Sequence, residues 1–154
     1  MAKDKKAGAK DAQILIQLYD LRREPVLRQA RKFMAFEFWP QNYDEFRAVF
    51  MDLSSERNSW ARQCLTYWDM AAAMVLQGAL NEDLFYAANS EPYFLFAKFG
   101  QYLPQLRKNY TSEFLVNLEA LANRPKAKLR LKEMKARVEA RQKAAAANAV
   151  SPSQ

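Results

Sequence analysis

No residue of this chain is a histidine, which removes the commonest general base, nucleophile partner and metal ligand at once. Mixed Cys/His zinc sites and di-iron bundles built on Glu-x-x-His are excluded with it. Cys64 is the sole cysteine, so neither an internal disulfide nor a redox pair can form. A lone thiol fits a reducing compartment. No Gly-rich phosphate loop is present, and no serine has a histidine to activate it. The sequence therefore yields no catalytic residue, no metal ligand set and no cofactor.

Three features remain that could do chemistry. Asp69 sits between Trp68 and Met70 in a strongly apolar helix. It reads as an acid or base in a desolvated site, or as a buried or semi-buried structural acid. A single carboxylate with no second titrating partner is not a catalytic constellation, so the structural role is expected. Arg62 is two turns away, and an arginine of the first helices (Arg22, Arg23, Arg28 or Arg31) is the expected partner. The second feature is a rich set of aromatics, among them Phe33, Phe36, Phe38, Trp39, Phe85, Tyr86, Tyr93, Phe94, Phe96, Phe99 and Tyr102. They can line a pocket, but their helical spacing favours core filling.

The third is a basic rod near the C-terminus: Lys126, Lys128, Arg130, Lys132, Lys135, Arg137, Arg141 and Lys143. Clustered cations at helical spacing can engage phosphates in a salt-sensitive way. No aromatic residue accompanies them for base stacking. The same rod carries a thin apolar seam, Ala127, Leu131, Met134 and Val138, which could dock on the domain or on a second copy. That stripe lacks Trp and Phe and is too thin for a membrane-surface helix.

The elements that must position these groups are helical. The chain is rich in good helix formers and holds only 3 Gly and 6 Pro. Ile14, Leu15, Leu18 and Tyr19 repeat at helical spacing, and Pro25 opens a second helix with Leu27, Ala30, Met34 and Phe38 on one stripe. Asn42 to Glu45 reads as a capping box, and Ser54 or Ser55 caps a long helix over about 55–77. That helix is apolar around most of its girth and must be surrounded by others. Gly78 stops it, Asn81 starts a short helix, and Ser90-Glu-Pro92 starts another that Pro104 breaks. Thr111 or Ser112 is the expected cap of a helix burying Phe114, Leu115, Leu118 and Leu121. Asn123-Arg-Pro125 then opens the last helix, expected from about 126 to 144–147. A helix-turn-helix around Gly78 is rejected, because its recognition helix would begin Asn-Glu-Asp and repel DNA.

The expectation is an all-α, single irregular domain of about six to eight helices around helix 55–77. It divides into a disordered basic N-terminus at 1–10, a core domain at 11–123, a basic C-terminal helix at 124–147 and a disordered tail at 148–154. Charge follows this division. The formal net charge is +7, yet residues 11–123 hold eleven basic and fourteen acidic side chains, and residues 124–154 nine basic and two acidic. No uncharged apolar run approaches the ~18 residues of a membrane span, and no secretory leader is evident, so a cytoplasmic location is expected.

Three stretches carry a resemblance. They are Leu21-Arg-Arg-Glu-Pro25 with Arg28-Gln-Ala-Arg31, Tyr67-Trp-Asp-Met70 with Gly78-Ala-Leu-Asn-Glu-Asp-Leu-Phe85, and Ala97-Lys-Phe-Gly-Gln-Tyr-Leu-Pro-Gln-Leu-Arg107. Over about residues 12–123 the chain resembles a group of small, uncharacterised, all-helical bacterial proteins classed as a domain of unknown function. The resemblance implies a helical fold and transfers no active site. The functional expectation is a non-catalytic protein-interaction or scaffold domain, self-associating through helix 126–147. The alternative is a nucleic-acid or polyanion binder acting through the basic rod.

Overall fold

A computed structural model describes residues 6–150. The chain begins with α1 (Ala9–Leu21) and α2 (Pro25–Lys32), the latter running into a π-helical turn at Phe33–Glu37. Then come α3 (Tyr43–Phe50), α4 (Glu56–Leu76), α5 (Glu82–Ala88) and α6 (Glu91–Phe99). A 3-10 turn at Gly100–Tyr102 leads into α7 (Leu103–Asn109), followed by α8 (Val116–Ala122). A second 3-10 turn, Pro125–Ala127, opens α9 (Lys128–Val150). No strand occurs among the described residues.

α4 is the axle. It packs against α2, α3, α5, α8 and the π-helical turn, while α6 lies between α8 and α9. Ala61, Cys64, Leu65, Trp68, Ala71 and Ala72 of α4 are all at most 1 % exposed. The aromatics fill this interior: Phe46, Phe50, Phe85, Tyr93 and Phe99 are buried, and Phe46 stacks on Phe50, Tyr102 and Phe38. Phe36 departs from that pattern. The π-helical turn rotates it outward, leaving it 66 % exposed.

Local capping follows the sequence closely. The Asn42 side chain accepts from the Glu45 N–H at 2.9 Å, while the Glu45 carboxylate reaches back to the Gln41 N–H. Ser55 accepts from Arg57 N–H and Asn81 from Leu84 N–H. Gly78 takes φ = 73°, the left-handed conformation that ends α4.

Three expectations are corrected. The stripe from Leu27 through Phe38 is not one α-helix: Phe38 N–H donates to Phe33 C=O, five residues back, and so releases the Met34 carbonyl. Neither Thr111 nor Ser112 caps α8, which starts later, at Val116, after Leu115 adopts φ = 56°. Helical structure also reaches further at both ends than composition suggests. α1 starts at Ala9, with Asp11 accepting from Gly8 N–H at 2.8 Å, and α9 continues through the alanine run to Val150. The remainder of the expected disordered ends, residues 1–5 and 151–154, lies outside the described residues.

Candidate functional site

Asp69 has a different partner from the one its sequence context suggests. Its carboxylate accepts from the Leu118 N–H at 2.8 Å and from Asn117 Nδ2 at 3.0 Å. It is half-buried and caps the first turn of α8 from across the α4–α8 contact. None of the early arginines pairs with it among the described residues. α8 has an upstream residue in a left-handed conformation and no local side-chain cap, so an acid on another helix supplies the acceptor.

The early arginine goes to Glu91 instead. Arg31 grips the Glu91 carboxylate through Nε at 2.8 Å and Nη2 at 2.5 Å, with side chains 23 % and 17 % exposed. Trp68 Nε1 donates to the same carboxylate at 2.9 Å. The Glu91 hydrogen bond and charge hold the Arg31 guanidinium above its ordinary range, against the opposing effect of burial. Beside this node, Arg22 donates to Asn89 Oδ1 at 3.4 Å and lies over the Tyr19 ring, and the Tyr67 hydroxyl donates to Leu18 C=O at 2.5 Å. Arg22, Arg31, Tyr67 and Trp68 all come from the stretches that carry the family resemblance. They join α1, α2, α4 and α6 in one polar node, with the Cys64 thiol pushed up by burial next to it. Arg22, Arg31, Tyr67, Trp68 and Glu91 each make at least one hydrogen bond in this node.

A second polar group was not anticipated. Lys98 is completely buried within α6, and its Nζ donates to Met34 C=O at 2.7 Å and Ala35 C=O at 3.4 Å. The first is the carbonyl released by the π-helical turn. Nζ also stands 3.6 Å from the Trp39 ring centroid, well within cation–π range. Burial, with Arg141 nearby, pulls the ammonium down to about 7. The sequence signal was a lysine inside the aromatic run Tyr93 to Phe99, on the same helix face as Leu95 and Tyr102.

The basic rod is brought together as one docked helix. α9 lays its seam on α6: Leu131 and Val138 are buried, as is Ala127 of the preceding turn, and Met134 packs against the core. Arg130 Nη1 donates to Tyr86 C=O at 2.6 Å and Asn89 C=O at 3.2 Å, the open end of α5, and its guanidinium lies 3.5 Å from the Tyr86 ring centroid. Further along, Arg141 stands 5.9 Å from the Trp39 ring centroid and Gln142 Nε2 donates to Pro40 C=O at 3.3 Å. Lys126 pairs with Asp83, and the neighbouring Arg124 with Glu82. The other predicted cations, Lys128, Lys132, Lys135, Arg137 and Lys143, are exposed and make no ion pair among the described residues. Lys128, Lys132 and Lys135 border a shallow groove with Asn123 at the end of α8.

No group of three or more Cys, Asp or Glu side chains converges on a metal-sized site among the described residues, and no helix there is long and apolar enough to cross a membrane. Comparison with known sequences matches residues 7–124 to the family described as Domain of unknown function (DUF4760), so the chain belongs to that family. The match ends where α9 is about to begin. No curated protein and no solved structure matches the chain.

Proposed function

Starting from a family domain extended by one docked helix, we propose that this protein is a non-catalytic interaction domain. Its contact surface is the cationic flank of α9, and its partner is a polyanion. The observation that carries this reading is the division of labour among the rod's cations. Lys126, Arg130 and Arg141 turn back onto the domain, while Lys128, Lys132, Lys135 and Lys143 line the opposite, exposed flank and Arg137 is also exposed. From Lys128 to Lys143 that flank runs about 22 Å along the helix. It is interrupted by one acid, Glu139. A helix fixed by its seam holds these charges in a preorganised line, which lowers the ordering cost of binding. The seam itself rests on α6 of the same chain.

The test is binding of a labelled duplex and of an acidic polypeptide, followed by fluorescence anisotropy across a salt series. With nucleic acid, affinity should fall steeply as salt rises, and Lys132→Glu with Lys135→Glu should weaken binding by about tenfold or more. The log–log salt slope should flatten by about 2. Binding of the acidic polypeptide alone, lost in the same variant, would assign the flank to a protein partner. Unchanged binding in the variant would remove α9 from the account.

A further inference from the structure

The surface beneath α9 has the character of a binding groove. The groups that clamp the helix at Arg130, Arg141 and Gln142, namely Trp39, Pro40, Tyr86 and Asn89, lie inside the family match, whereas α9 lies outside it. The groove reads α9 at two points, near its start and past its middle. Tyr86, with the Tyr86 and Asn89 carbonyls, clamps Arg130, and Trp39 with the Pro40 carbonyl receives Arg141 and Gln142. Between these clamps, Leu131 and Val138 sit on α6, two turns apart. Ion pairs fasten the segment just before the helix, Arg124 to Glu82 and Lys126 to Asp83. The connection from α8 is short and exposed, Asn123-Arg124-Pro125.

We propose that the face formed by the end of α5, by α6 and by the Trp39–Pro40 segment is a receptor groove for a cationic amphipathic helix. It is filled in cis by α9, and the same helix of a second copy can take its place. The ligand it selects carries an arginine at each end of a three-turn apolar stripe, as Arg130, Leu131, Val138 and Arg141 do. This is helix-in-groove recognition, with the occupant covalently attached. Because the attached helix competes for the groove, any free helix binds with an apparent affinity reduced by the fraction of time the groove stands open. Exchange between copies preserves every contact of the groove and alters only the connection, the usual condition for swapping an element.

The test uses the full chain and a fluorescein-labelled peptide of residues 124–150, with binding read by anisotropy. The wild-type chain should take up the peptide weakly. A chain carrying Arg130→Ala, its fold checked by circular dichroism, should take it up about tenfold more tightly, because its own helix is a poorer competitor. Should that chain fail to fold, Arg141→Ala with Gln142→Ala at the distal end should give a rise of about threefold. The peptide carrying Arg130→Ala should lose about tenfold toward any of these chains. A wild-type peptide that binds none of them would overturn the proposal. So would a sequence-scrambled peptide that binds as well as the native one, since that would reduce the groove to bulk charge attraction.

Discussion

Glu91 brings α2 and α4 together on a single side chain of α6. Its carboxylate serves Arg31 and Trp68, respectively 60 and 23 residues away. A mostly buried pair is dangerous to break from one side, because the surviving charge keeps its desolvation cost and loses its partner. Glu91→Gln is expected to lower stability by about 2 kcal/mol, read as a shift in the urea midpoint. Adding Arg31→Met should restore part of that loss, since the orphaned charge is gone. In the sequence Glu91 was legible only as a residue of the Ser90-Glu-Pro92 helix start. Its partners lie on other helices, and no local spacing reveals a tertiary ion pair. The sequence suggests an early arginine as the partner of Asp69, and Arg31 pairs with Glu91 instead.

Helix boundaries show the same contrast one level up. α3, α4 and α5 begin where Asn42, Ser55 and Asn81 say they should, because each cap bonds an N–H two or three residues on. The start of α8 was misplaced because its acceptor, Asp69, lies 48 residues earlier on α4. Asp69→Ala should therefore destabilise the protein by about 1 kcal/mol, seen in chemical denaturation. Hydrogen exchange should show the loss of protection concentrated in the first turn of α8 rather than spread along α4. The π-helical turn after α2 was equally hidden. It depends on Lys98, which rewards an exposed carbonyl that an ordinary α-helix would have consumed. Apolar periodicity, by contrast, revealed α4 almost to its ends, since a rod that is oily on most sides has one way to avoid water.

At the scale of the whole molecule, the buried ionisable groups set how stability responds to pH. Lys98 titrates near 7 when folded and near its ordinary 10.5 when unfolded. Between those values the unfolded chain holds more protons, so stability contributed through this lysine rises with pH. Cys64, Tyr67 and Tyr93 act in the opposite sense. Burial raises each of them, so their folded forms stay protonated while the unfolded thiol and phenols ionise, and stability falls once pH passes about 9. Melting temperature should climb from pH 7 to about 9 and then decline. Lys98→Met should abolish the climb and keep the decline, a pattern scanning calorimetry across buffers will resolve.

The placement of Cys64 has a practical corollary. The chain's one thiol is 0 % exposed at the middle of α4, beneath the convergence of four helices. A thiol so placed reacts with an alkylating reagent only when the interior opens. Labelling kinetics at this atom therefore time the excursions of the native protein out of its folded state, and no probe has to be engineered to observe them.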